Sequence, residues 1–130
     1  MTAAENLKIA EAYAEAWQRG DLATLFALYH DDFTLHYGGA NRLSGTHAGK
    51  DAALKALAEM SRATGRKLVE IVDIMAGAAR ATIVARERFE VGGEVAELER
   101  VLVYRIADGQ LRECWVHDAE QAVVDRFIGA

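Results

Sequence analysis

Residues 16–45, AWQRGDLATLFALYHDDFTLHYGGANRLSG, constrain the fold of this chain most strongly. They read as the end of one amphipathic helix, a Gly20-Asp21 break, a second short helix, an acidic turn and then a strand. The rest of the pattern is a third helix followed by four β-rich stretches. Helices written ahead of a long antiparallel sheet must lie across one of its faces, because nothing else in so short a chain can cover that face. A pocket between helices and sheet is the expected result.

The helical signals are specific. Thr2-Ala3-Ala4-Glu5 fits a capping box, and Ala10, Tyr13, Ala14 and Trp17 recur at helical spacing opposite Lys8, Glu11, Glu15 and Gln18. Gly20 is a C-terminal stop and Asp21 the next N-cap. Leu22, Leu25, Phe26 and Tyr29 form a second stripe, Phe33 to Tyr37 a strand, and Ala53, Leu54, Leu57 and Met60 a third helix ending near Gly65. From Lys67 the period changes to two, over 67–76, 80–91, 95–107 and 110–118. Gly92-Gly93 and Asp108-Gly109 are hairpin dipeptides. This is α+β with a mostly antiparallel sheet.

Composition closes off several function classes. At 130 residues, 52% of them apolar, residues 1–130 form one domain with a single core. No apolar run reaches the roughly 18 residues of a membrane span, and MTAAENLK lacks a secretory signal's apolar core. Fifteen basic against 20 acidic side chains give −5, which argues against a nucleic-acid partner. Cys114, the only cysteine, rules out an internal disulfide and points to a cytoplasmic home. His30, His36, His47 and His117 have no close metal-ligand spacing, so neither a metal nor a cofactor is expected. His36 alternates to the outside of its strand, and His47 is a candidate for the pocket mouth.

Strand parity selects side chains for the pocket. Ala81, Ile83, Ala85, Glu87, Phe89 and Val91 share one register, apolar but for Glu87. A hairpin turning at Gly92-Gly93 sets Ala85 opposite Arg100 and Glu87 opposite Leu98. Arg100 lies in the register Ala96, Leu98, Arg100, Leu102, Tyr104, Ile106, again with one charge. Glu87 and Arg100 become diagonal neighbours on the inner face, and a paired buried charge costs far less than an isolated one. The pair serves a ligand or is structural; an Arg100 reaching out at a sheet edge is the remaining option. In the last strand Leu111, Glu113, Trp115 and His117 alternate with Arg112, Cys114, Val116 and Asp118; the first set is the more apolar by periodicity, which leaves the inward set ambiguous.

Four segments carry a family resemblance: Ala16-Trp17-Gln18-Arg19-Gly20-Asp21, Leu28-Tyr29-His30-Asp31-Asp32-Phe33, Leu43-Ser44-Gly45-Thr46-His47-Ala48-Gly49-Lys50 and Tyr104-Arg105-Ile106-Ala107-Asp108-Gly109. Together with the element order they resemble the NTF2-like superfamily, and within it the SnoaL-like and ketosteroid-isomerase-like group. The resemblance covers nearly the whole chain. It implies an NTF2-like, cystatin-like cone with three N-terminal helices packed on a curved sheet. It also implies a hydrophobic pocket and a homodimer through the convex sheet face, where Val101, Val103, Trp115 and His117 would lie. For a reaction it is open, because this fold hosts isomerases, cyclases, dehydratases, epoxide hydrolases and non-catalytic binding domains.

The resemblance also suggests residue roles. In SnoaL-like cyclases an acidic residue at the end of the last strand is the general acid/base, and Asp118 stands there. Tyr13 falls where ketosteroid isomerases keep an oxyanion-binding tyrosine; a core tyrosine is the alternative. Tyr37 falls where those isomerases carry a carboxylate base, and Leu102 where they carry a second acid, so steroid isomerisation by that route is not expected. Epoxide hydrolases of this fold use an Asp-Arg-Asp set, of which Arg100 and Asp118 alone are matched. The expected catalytic set is therefore Asp118, Tyr13 and Arg100, acting without a cofactor on a hydrophobic, oxygenated small molecule. Tyr37, Glu87, Trp17, Leu102, Val116 and Phe89 are the expected ligand contacts. The alternative is a non-catalytic ligand-binding or stress-associated domain.

Overall fold

The structure, a computed structural model, describes residues 2–130. Helix α1 (Ala3–Arg19) begins at the expected capping box: the Thr2 hydroxyl accepts from the Glu5 N–H at 3.1 Å, and the Glu5 carboxylate accepts from the Thr2 N–H at 3.0 Å. It ends at Gly20 in the left-handed conformation, φ 68°. Asp21 caps α2 (Leu22–Leu28) by accepting from the Thr24 N–H at 3.2 Å and from its hydroxyl at 2.7 Å. Strand β1 (Tyr29–Tyr37) starts four residues before the expected Phe33. Tyr29 was expected on the helical stripe, but it pairs with Leu111 in the sheet.

Strand β2 (Gly45–His47), helix α3 (Lys50–Thr64) and strands β3 (Lys67–Ala76), β4 (Arg80–Val91), β5 (Glu94–Ala107) and β6 (Gln110–Asp118) follow. The four long strands match the period-two stretches within one residue. They form one sheet in the order β2-β1-β6-β5-β4-β3, antiparallel except between β1 and β6. Ala85 opposes Arg100 and Glu87 opposes Leu98, as the hairpin dipeptide requires. The inward registers of β4 and β5 are buried from Ala81 to Phe89 and from Leu98 to Ile106, though Val91 at the hairpin end is exposed, and α1 and α3 pack over the sheet. Gly65, φ 59°, cannot be replaced by a larger residue, because a Cβ there would collide with the Glu90 carbonyl oxygen.

Two features depart from the sequence expectation. A fourth helix, α4 (Gln121–Ile128), follows the last strand. Val124 and Ile128 bury themselves, Phe127 meets Phe89 edge to face at 5.5 Å, and Asn41 donates to Asp125 at 2.8 Å. The second is a β-bulge at Arg112: Arg105 pairs with Glu113, but Ile106 pairs with Leu111. The bulge places Leu111, Cys114, Val116 and the Asp118 side chain on the inner face and leaves Trp115 and His117 on the convex one. This is why strict alternation left the inward set open.

Candidate active site and ligand cavity

Between α1, α2, α3 and the concave sheet face lies a cavity of about 290 Å³. Its wall is mostly apolar, with Trp17 from α1, Leu25 and Phe26 from α2, Leu54 and Leu57 from α3, and Leu102 and Val116 from the sheet. The α2 side chains reach it incompletely: Leu22 is 59% and Phe26 47% exposed, and α2 buries no residue fully. They stand at the mouth. Two polar groups of different character complete the wall.

The first is phenolic. Tyr13 and Tyr29 share a hydroxyl–hydroxyl hydrogen bond, and the Tyr104 ring lies 5.5 Å from that of Tyr13. Burial raises the pKa of Tyr13, with the Tyr29 hydrogen bond opposing, and pushes Tyr29 and Tyr104 well above the ordinary tyrosine value. Cys114 sits beside them on the wall, its thiol pushed up to about 12 chiefly by burial. All four groups are neutral at physiological pH.

The second is charged. Arg100, on β5, is 1% exposed. Its Nε donates to Asp118 Oδ1 at 2.6 Å and its Nη2 to Oδ2 at 3.1 Å, a two-pronged ion pair set up by the direct Arg100–Asp118 pairing of β5 and β6. Nη2 also donates to the Tyr37 hydroxyl at 2.6 Å, and Nη1 to Glu87 at 3.3 Å. The remaining contact of Nη1 is the Met60 thioether sulfur at 3.4 Å. Burial works against the Arg100 charge, but Tyr37, Asp118 and Glu87 outweigh it and hold its pKa above the usual arginine value. Burial likewise raises the pKa of Tyr37, against the pull of Arg100.

Tyr13, Arg100, Trp17, Leu102 and Val116 line the cavity. Asp118, Glu87, Tyr37 and Phe89 stand behind the wall instead. The reason is electrostatic: a carboxylate drawn out of water turns to the nearest guanidinium, and Asp118 and Glu87 both turn to Arg100. Phe89 packs under the same guanidinium, 5.4 Å from its centre, and against Phe127. His47 is also off the wall and bonds the Leu43 carbonyl at 2.7 Å. On the convex face Trp115 is already partly covered, stacked on His36 at 5.2 Å and capped by Arg80 at 4.2 Å.

Arg66, Tyr29 and Tyr104 were not anticipated as wall residues. Arg66 reaches the cavity from the turn before β3 and holds Glu87 at 3.3 Å and the Ser61 hydroxyl at 2.8 Å. In the structure Leu68 opposes Glu87, so Arg66, two residues earlier, is Glu87's diagonal neighbour, a register that no turn dipeptide marks in the sequence. Among the described residues no group of three or more His, Cys, Asp or Glu side chains is placed to hold a metal, and no helix is long and apolar enough to cross a membrane.

Fold and cavity together define a helix-covered sheet with a mostly apolar chamber, and comparison with known proteins says which family this is. A family model for the SnoaL-like domain matches residues 10–114, and the chain belongs to that family. The match ends before Asp118. Among solved structures, a cystatin-like protein of unknown function from Xanthomonas campestris is 28% identical, with a TM-score of 0.88 over 96% of this chain and 98% of that one. Bal32a, from a soil-derived mobile gene cassette, is 22% identical, with a TM-score of 0.86 over 98% of each chain. TerC, co-crystallised with polyporic acid, is 16% identical, with a TM-score of 0.79 over 96% of this chain and 99% of its own. No curated protein matches the sequence. The NTF2-like, cystatin-like fold is thereby secured.

Proposed function

We propose that this SnoaL-like domain binds a hydrophobic small molecule carrying a hydrogen-bond-accepting oxygen, which sits against Arg100. One observation carries the reading. A guanidinium has five N–H donors, and protein oxygens take four of those of Arg100. The fifth rests on the Met60 sulfur, a weak acceptor on the cavity wall. A ligand oxygen displaces a thioether at little cost. TerC, of the same fold, was crystallised with a small molecule, which supports this use of the cone.

The test is a fluorescence titration with 2-acetylnaphthalene, a neutral aromatic ketone. Saturable binding is expected, weakened at least about tenfold, or 1.4 kcal/mol, in Ala58→Trp, which crowds the rim without touching Arg100. Absence of saturable binding, or equal binding by the variant, refutes the reading.

A catalytic reading has its own support: Arg100 is flanked by two carboxylates, Asp118 and Glu87. In this reading Asp118, held behind the wall by Arg100, must turn from that pair into the cavity to move a proton to or from a carbon beside a carbonyl, or from water to be added to an epoxide, while Arg100 or Tyr13 steadies the negative oxygen. Asp118→Asn should then lower turnover about 100-fold while binding persists. Unchanged turnover would move the chemistry to another residue, and no turnover on any ketone or epoxide tried would leave the binding domain as the function. A homodimer through the convex face, around Val103 and Trp115, is part of the same proposal. Sedimentation should give a dimer that Trp115→Glu shifts toward monomer; a wild-type monomer at tens of micromolar, an ordinary working range for weak association, would rule it out.

A further inference from the structure

Four charged side chains meet at and behind one part of the cavity wall, and their sum is zero. Glu87 stands between two guanidinium groups: its Oε1 accepts from Arg100 at 3.3 Å and from Arg66 at 3.3 Å, and its Oε2 from Arg66 at 3.4 Å. Asp118 takes the other side of Arg100. Glu87, Arg100 and Asp118 are at most 2% exposed and Arg66 is 21% exposed, so water does little to screen them from one another. Two cations and two carboxylates neutralise one another before a ligand arrives. The remaining polar groups on that wall, phenols and the Ser61 hydroxyl, carry no charge.

We propose that this cavity selects neutral carbonyl compounds over carboxylates, and that Glu87 is the residue that sets the selection. The proposal rests on the reading that an oxygen-bearing small molecule binds against Arg100. A ligand carboxylate would bring a third negative charge to two guanidinium groups in a poorly solvated site, where an uncompensated charge is expensive. It would also find no free fork. Carboxylates are recognised best by two parallel N–H groups, and Arg100 already gives that fork to Asp118, leaving the single N–H now resting on Met60. A ketone, lactone or quinone oxygen needs only one donor. Glu87 does not touch the ligand; it cancels a charge that would otherwise attract anions.

Two isosteric probes test this at pH 7.5: 2-acetylnaphthalene, neutral, and 2-naphthoate, an anion of nearly the same shape. Wild-type protein should prefer the ketone by about tenfold or more. Glu87→Gln keeps the shape and removes one negative charge, so the gap should close or invert through tighter naphthoate binding. Glu87→Gln/Arg66→Gln restores neutrality, and the ketone preference should return. Arg66→Gln alone, at a partly exposed side chain, should widen the gap and serves if Glu87→Gln does not fold. Equal affinities in wild type, an unchanged gap in Glu87→Gln, or Arg66→Gln moving the gap the same way as Glu87→Gln overturns the proposal while leaving the binding site intact. Failure of both probes to bind wild type removes the binding reading and this proposal together.

Discussion

Around Tyr13 the buried polarity of the cavity is neutral, whereas around Arg100 it is charged. The two clusters share strand β5, with Tyr104 and Arg100 four residues apart on its inner face. That is about 13 Å of extended chain. Tyr13 and Tyr29 satisfy one another through a single hydrogen bond, the Tyr104 ring packs against Tyr13, and each ring contributes to the core. The charged cluster needs four side chains from β4, β5, β6 and the turn before β3, because each guanidinium must find a carboxylate. Removing a member should cost little in the first cluster and much in the second. The charged cluster demands a fixed register across several strands; the phenolic one tolerates imprecision.

The largest effect expected from breaking this contrast is Arg100→Met. It leaves Asp118 and Glu87 buried without their common partner and should destabilise the fold by about 3–5 kcal/mol, the range for breaking a buried pair, read by urea denaturation. Adding Glu87→Gln should recover part of the loss. Strict additivity would mean the two residues are not coupled.

Alkaline pH attacks the other cluster. The folded-state pKa of Cys114 is pushed up to about 12 from 9.0, and those of Tyr13, Tyr29 and Tyr104 lie above 10.0. Above the unfolded values the unfolded chain binds fewer protons than the folded one, so stability is intact below pH 9 and falls as pH rises. Cys114 alone contributes a slope approaching 1.4 kcal/mol per pH unit between its two values. Cys114→Ala should flatten the pH 9–10 part of the curve, before the phenols ionise in the unfolded chain. An unchanged slope there would mean the thiol does not govern it.

The smallest effect is expected from Tyr13→Phe. It deletes one member of a neutral hydrogen bond and keeps the ring, so a loss of about 1 kcal/mol should appear in the same denaturation experiment. A loss as large as that of Arg100→Met would erase the distinction between the clusters.

What the sequence disclosed follows the same division. The Glu87–Arg100 pairing was legible because Gly92-Gly93 fixes the hairpin register, and one charge in each otherwise apolar alternation marked both residues. The Arg100–Asp118 pair was not derivable by parity, since a bulge lies between the β5–β6 turn and Asp118 and alternation carries no sign of it. The phenolic cluster was only half visible: Tyr29 fits the stripe of the second helix as well as it fits the first position of β1. Arg66 was hidden because β3 meets β4 with two register shifts, so no turn dipeptide fixes what it faces. Helix α4 left a signal at Val124, Phe127 and Ile128, spaced i, i+3, i+4, but eight residues after a strand make a weak periodic pattern.

The bulge at Arg112 also governs which changes of chain length this protein can survive. It is a single extra residue in β6. Deleting 112 would only remove the bulge and keep Arg105 opposite Glu113 and Arg100 opposite Asp118, but inserting one residue between 113 and 114, with the bulge and the β5–β6 turn held in place, would rotate the rest of the strand by one half period. Trp115 and His117 would be driven into the chamber, and Asp118 would be expelled to the outside, stranding Arg100. Substitution or removal at 112 touches one half-buried arginine that donates to the Asp32 carbonyl, whereas one residue added just beyond it inverts an entire wall. In a lineage of such proteins, added length between 113 and 118 should therefore be resisted more strictly than a change or loss of the residue at 112.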